Sequence, residues 1–365
     1  MERTQPTDPA AEPPAPAAEP PARATGPGTP ARPGAGSPAA GRAVGRSPAA
    51  GTPAAGTPAA RTPAAGTAGP ALTGLPGPPP LGASALPPGT YEGRVVLVTG
   101  GGTGLGKAIA AEFARLGADL VIAGRRADRL AAARDELAAV GAGRVTAAVC
   151  DVRDPERIAA VFDAAEAAAG RPDVLVNNAA ANFPVPAEDM SPNAWRAVVD
   201  VTLTGTWFTS REFGRRHLAA GTPGSIVNIG ASYAWTGGPG FAHSAAAKAG
   251  VKSLVETLAV EWGPYGIQVN GLVPGLVPHP DMTPDIRSGL AAAGAAAAPD
   301  ARQPALRVGA PRELGWAATF LASPYARFIT GHTLVVDGAN WQRRALVNPD
   351  VVPVRTQLGR GPFTT

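Results

Sequence analysis

From Tyr91 onward, short apolar runs alternate with longer stretches whose apolar residues recur every three or four positions. Arg94-Val-Val-Leu-Val-Thr99 is a short apolar run that ends at glycines, the pattern of a strand buried on both faces. Runs of the same kind recur at 119–124, 144–150, 173–177, 224–230, 267–273 and 333–336. Between them lie helical spacings. Ile109, Phe113 and Leu116 mark a helix over 107–116 that Gly117 stops. Leu130 and Leu137 mark another over 127–140, and Asp154-Pro155 supplies a cap and first-turn proline for a third that runs to Gly170. Ser191-Pro192 opens a long helical stretch through Trp195, Val199, Leu203 and Phe208 to His217. Helices over 244–262 and 311–321 complete the set. Strands that alternate with helices predict an α/β domain: a doubly wound parallel sheet of about seven strands flanked by helices. In such sheets ligands bind beyond the carboxyl ends of the strands.

Composition changes this picture only at the front. The 46 Gly and 41 Pro are too many for a uniformly globular chain. The prolines concentrate in residues 1–90, which hold 22 of the 41 and where Thr-Pro-Ala-Ala-Gly units run in tandem. Such a segment has little to bury and cannot recover its ordering entropy, so a disordered tail is expected there, as a tether or a plain spacer. The expected organisation is tail 1–90, α/β domain 91–342 and C-terminal extension 343–365. No secretory signal or transmembrane-length apolar run is legible, so a cytoplasmic protein without a membrane span is expected. A net charge of +4 from scattered arginines makes no nucleic-acid stripe but suits an anionic ligand. The single Cys150 excludes a disulfide framework and reads as buried and inert. His217, His243, His279 and His332 lack metal-ligand spacing and read as surface or loop residues, so no metal is expected.

The candidate chemistry sits at the strand ends. Thr99-Gly-Gly-Gly-Thr-Gly-Leu-Gly106 follows the first strand and opens the first helix. Gly100, Gly104 and Gly106, with Thr103 and Leu105, would let the backbone approach a pyrophosphate at the helix N-terminus. Arg125 and Arg126 end the second strand, where an acidic residue would favour NAD. Two arginines suit a 2′-phosphate, or are simply solvated; the expectation is NADP(H). Asp151, beside Val152, either accepts from an adenine amine or caps a helix. Asn177 and Asn178 either tie strand ends together or contact the ribose. Pro274 and Gly275 complete the cofactor-binding candidates. Tyr233 precedes a glycine-rich loop, and Ser244 and Lys248 follow it one helical turn apart on one face. A phenol folded back over an ammonium is expected to be a proton donor of lowered pKa.

Thr99–Gly106, Asn177–Ala180, Lys248, Asn270 and Pro274-Gly275 resemble the short-chain dehydrogenase/reductase superfamily over about residues 92–337. The resemblance implies a Rossmann-like sheet, a nicotinamide cofactor and a homo-oligomer, usually a tetramer. The departures matter more. Most members carry Tyr four residues before the Lys; Ser244 stands there. Where they carry a catalytic Ser and Asn, this chain has Ala231 and Thr202. The changed pattern is similar to the mitochondrial-type 2,4-dienoyl-CoA reductases, in which the phenol lies fifteen residues before the lysine, as Tyr233 does. That resemblance implies an acyl-CoA thioester substrate, with Tyr233 and Asn182 as hydrogen-bond donors, Lys248 holding the ribose and the phenol, and Ser244 near the nicotinamide. The rivals are another short-chain oxidoreductase, acting on 2-enoyl-CoA or on ketones and alcohols, and a catalytically silent NADP-binding protein. Bland roles stand beside these: packing for Tyr233, a turn for Asn182, a cap for Ser244. Arg287, Arg343 and Arg344 are candidates for CoA contact, and 281–310 for a mobile lid.

Overall fold

The fold is that of a computed structural model, described for residues 75–80, 82–84, 86–141, 143–282, 303–342 and 353–361. The expected tail up to residue 74, most of the expected lid, and Arg287, Arg343 and Arg344 lie outside the described residues.

Seven parallel strands form one sheet in the order β3-β2-β1-β4-β5-β6-β7. They are β1 (Val95–Thr99), β2 (Asp119–Gly124), β3 (Val145–Val149), β4 (Val174–Asn177), β5 (Gly224–Ile229), β6 (Ile267–Pro274) and β7 (Thr333–Val336). The helices are α1 (Gly104–Arg115), α2 (Ala127–Ala138), α3 (Pro155–Ala168), α4 (Pro192–Val199), α5 (Gly205–Ala220), α6 (Tyr233–Thr236), α7 (Ala242–Trp262), α8 (Pro311–Ala322) and α9 (Val354–Gln357). The doubly wound parallel sheet is therefore as expected. β1 shows why its sequence is uniformly apolar. Val96 and Val98 enter one core with Ile109 and Phe113 of α1, and Val95 and Leu97 enter the opposite core with Phe162 of α3 and Phe213 of α5. Trp262 joins the second core, as its helical spacing implied.

The order reverses between β1 and β4, where the chain leaves β3 and crosses to the other half of the sheet. That split opens a crevice at the carboxyl ends, the place where such sheets bind ligands.

Three local features differ from expectation. The long stretch from Ser191 is helical without interruption to Ala220, as expected, but it takes a π turn at Asp200–Thr204 between α4 and α5. Tyr233 does not precede a loose loop but starts the short helix α6, and the chain then turns through Gly237 (φ 71°) and Gly240 (φ 81°). Finally, packing begins upstream of Tyr91. Leu86 is buried in the first core, Leu75 N–H donates to Ala305 O at 2.9 Å, and Arg307 Nε donates to Pro76 O at 3.0 Å.

Candidate active site

β1, β2, β3 and β4 all end at one cleft of about 410 Å³. Gly100, Thr103, Gly104 and Leu105 form its floor, Arg125 and Arg126 one wall, and Asp151, Val152 and Asn178 the rim. The glycines are used as their positions predict. Gly100 takes φ 65°, and a Cβ on Gly106 would stand 2.4 Å from both Gly100 O and Asn178 Nδ2. Asn178 locks this turn: its Nδ2 donates to Thr99 O at 3.1 Å, and Thr99 Oγ1 accepts from the N–H of Asn178 and of Ala179. The Asn177 side chain ties neighbouring elements together. Its amide donates to Ser210 Oγ and Asn228 Oδ1, each at 2.9 Å, and accepts from Thr209 Oγ1 at 2.6 Å.

The first N–H of α1 already holds a carboxylate. Asp281 Oδ2 accepts from Gly104 N–H at 2.9 Å, and the His279 ring lies 2.8 Å from where a Gly104 Cβ would be. An anion at this helix end shows the cradle suits a phosphate, so the floor, the Arg pair and the volume fit a nicotinamide dinucleotide. Neither His279 nor Asp281 carries a local signal of this role, because the contact with Gly104 spans 177 residues. Asp151 is engaged by Arg153, whose Nε lies 3.0 Å from Oδ1, and this pairing holds its carboxyl below the usual range. The cap of α3 is Asp154, which accepts from Glu156 N–H at 3.0 Å. Pro274 and Gly275 do not line the cleft; Gly275 N–H donates to Val336 O at 3.0 Å, extending the β6–β7 pairing.

The second half of the site lies around α6 and the start of α7. Tyr233 Oη is 2.9 Å from Ser244 Oγ, and Asn182 Nδ2 donates to Tyr233 Oη at 3.4 Å. Three residues 51 and 11 positions from one another thus form one hydrogen-bonded chain. Asn182 Oδ1 is buried with no partner among the described residues. Phe241 lies parallel to Tyr233 with centroids 6.3 Å apart, and Phe183 follows Asn182 and packs edge-on against His243. Thr202, in the π segment, is fully buried, and its Oγ1 accepts from Ala181 N–H at 3.2 Å, which fixes the backbone just before Asn182.

Lys248 departs from expectation. It is buried, and its ammonium donates to Ile229 O at the end of β5. Burial lowers its pKa to about 8. The Tyr233 phenol is raised, not lowered: burial dominates, the Ser244 hydroxyl partly offsets it, and Lys248 makes no contribution. Two histidines are also misplaced by the sequence reading. His217 is buried between Pro172 O and Thr222. His243 is fully buried, with Nδ1 accepting from Ser244 N–H at 2.7 Å and Phe183 edge-on at 4.8 Å. Both help shape the local backbone and neither faces solvent. Cys150 is buried as expected, its thiol pushed up to about 11 by burial and by the adjacent Asp151, although it also lines the cleft.

Residues 100–339 match the family model described as enoyl-(acyl carrier protein) reductase. A Bacillus subtilis protein named probable 2,4-dienoyl-CoA reductase, (2E)-enoyl-CoA-producing, is 39% identical over 68% of this chain and 97% of its own length. The rat peroxisomal 2,4-dienoyl-CoA reductase, (3E)-enoyl-CoA-producing, is 37% identical over 70% of this chain and 86% of its own. Among solved structures, a short-chain dehydrogenase from Bacillus anthracis aligns with TM-score 0.60 at 38% identity, covering 68% of this chain and 96% of that one. The glycine cradle at the β1–β4 split, the seven-stranded parallel sheet and these matches establish that the chain belongs to the short-chain dehydrogenase/reductase family of oxidoreductases, which bind nicotinamide cofactors.

Proposed function

We propose that the protein is an NADPH-dependent 2,4-dienoyl-CoA reductase acting in the breakdown of unsaturated fatty acids. The observation that carries this reading is the hydrogen-bonded chain Asn182–Tyr233–Ser244, with serine in the helical position where most family members place their tyrosine. The names of the relatives support it.

Gly100, Gly104 and Gly106 would hold the pyrophosphate, and Arg125 and Arg126 a 2′-phosphate. When bound, the reduced nicotinamide supplies the hydride. Addition at the far end of a conjugated diene leaves negative charge on the thioester oxygen, remote from the carbon that is reduced. Stabilising that oxygen calls for fixed donors displaced from the hydride path. Tyr233 and Asn182 are such donors, and burial keeps the phenol protonated across the neutral and mildly alkaline range. Ser244 orients the phenol from behind. Lys248 is poised one turn away to donate to the ribose. Phe183, Val185 and Phe241 exclude water from the dienolate. Protonation at the α carbon gives the 3-enoyl thioester, and at the γ carbon the 2-enoyl one. Copies of the chain associate in this reading, consistent with the exposed Phe320, Tyr325 and Phe328 near the β7 edge. It also places the reaction in the cytoplasm.

Purified protein with NADPH and a 2,4-dienoyl-CoA tests the proposal. Loss of diene absorbance, with a 3-enoyl product and a kcat/KM for NADPH above that for NADH, is expected. Turnover of only 2-enoyl-CoA or ketones would replace it with another reductase, and cofactor binding without turnover with a silent protein.

A further inference from the structure

The short C-terminal helix α9 bridges the two loops that carry the donors. On one side, Arg355 Nη1 donates to Asp189 Oδ1 at 2.8 Å and to Glu188 Oε1 at 3.2 Å. Both carboxylates belong to the 3-10 turn Ala187–Asp189, which follows Asn182-Phe183-Pro-Val185. On the other side, Val354 Cγ1 and Leu358 Cδ1 stand 3.5 and 3.9 Å from the point where a Gly240 Cβ would lie. Gly240 sits in the loop that follows α6, as does Gly238, whose own Cβ position meets the Tyr233 side chain at 3.1 Å. The two loops meet each other at the Val185 N–H to Gly240 O bond of 2.8 Å and at the Asn182–Tyr233 contact of 3.4 Å. The latter is long for an amide-to-hydroxyl bond, so small changes in loop spacing make or break it.

We infer that α9 is a clasp: Arg355 holds the Asn182 loop against the Tyr233 loop, fixing the spacing of the two donors and closing the end of the acyl slot. Arg355 touches neither donor and is a positioning residue; its side chain is 24% exposed and those of its partners 31% and 38%, so the pairs are partly shielded from water. The slot-closing part rests on the acyl-thioester reading above.

The test uses the full chain. Arg355→Glu sets three carboxylates against one another and is expected to raise KM for 2,4-dienoyl-CoA about fivefold, the scale of a partly exposed ion pair. The NADPH dissociation constant stays unchanged. Arg355→Lys recovers part of the KM, and the exchanged pair Arg355→Glu/Asp189→Arg recovers more. Amide hydrogen exchange without ligand reads the clasp itself. Exchange should quicken in both 182–190 and 237–241 in Arg355→Glu and return in the exchanged pair. Unchanged exchange in both segments overturns the clasp whatever the substrate. An active wild type whose KM is unmoved by Arg355→Glu overturns slot closure and leaves the reaction standing. A wild type inactive on every dienoyl-CoA overturns the reaction and the acyl slot with it, and exchange then decides the clasp alone.

Discussion

The Tyr233 phenol is held protonated at neutral pH, because burial raises its pKa, while the Lys248 ammonium donates to Ile229 O. Tyr233→Phe keeps the ring stacked on Phe241 and removes one donor. On the proposed reaction it should lower kcat by about 10²-fold, the usual cost of one oxyanion donor, with little change in cofactor affinity; steady-state kinetics and a fluorescence titration check both. Lys248 makes a separate prediction. Its pKa falls from 10.5 in the open chain to about 8 in the fold, so between those values the unfolded state binds the extra proton. Stability therefore rises with pH over that window and is lost as pH falls through about 8. Denaturation at pH 8 and pH 10 should show the wild type gaining on Lys248→Met as pH increases. Asp281 accepts from the first N–H of α1, where the pyrophosphate of the proposed cofactor would compete with it. Asp281→Asn removes a charge from the helix terminus and should tighten NADP(H) binding about threefold, by calorimetry.

At the scale of elements, the π segment between α4 and α5 does local work. It buries Thr202 with its hydroxyl on Ala181 N–H, so the residue that replaces the family's usual asparagine still steadies the Asn182 loop. Thr202→Val keeps the shape but leaves that N–H unpaired. A loss of about 1–3 kcal/mol in urea unfolding is expected, together with a higher KM for the acyl substrate. The π turn was not legible because i+3 and i+4 spacing continues through it, and only the backbone hydrogen bonds reveal the extra residue. By contrast, the glycine turn before α1 was legible residue by residue. Strand, turn and helix there are consecutive, and the sterics that demand Gly106 come from Gly100 and the strand neighbour Asn178.

At the scale of the molecule, order starts earlier than composition suggests. The Pro-rich run after Leu75 has few apolar side chains, yet Leu86 fills a place in the first core and Tyr91 Oη donates to Thr319 O at 2.6 Å. Truncation at residue 74 gives the reference. Removing 1–90 exposes the site vacated by Leu86 and should cost about 1.5–3 kcal/mol, read by thermal unfolding of the two truncations.

The sequence by itself determined the seven-strand alternation and the glycine turn, and its motifs singled out Tyr233, Asn182 and Ser244, because each rests on local periodicity, backbone freedom or a motif of fixed spacing. Tertiary structure alone decided the rest. It placed Asp281 on the α1 N-terminus, buried His217 and His243, set the Lys248 ammonium on Ile229 O, and paired Arg355 with Asp189. Proximity between residues far apart in the chain, and the desolvation that sets a pKa, arise only when the sheet brings its strand ends together.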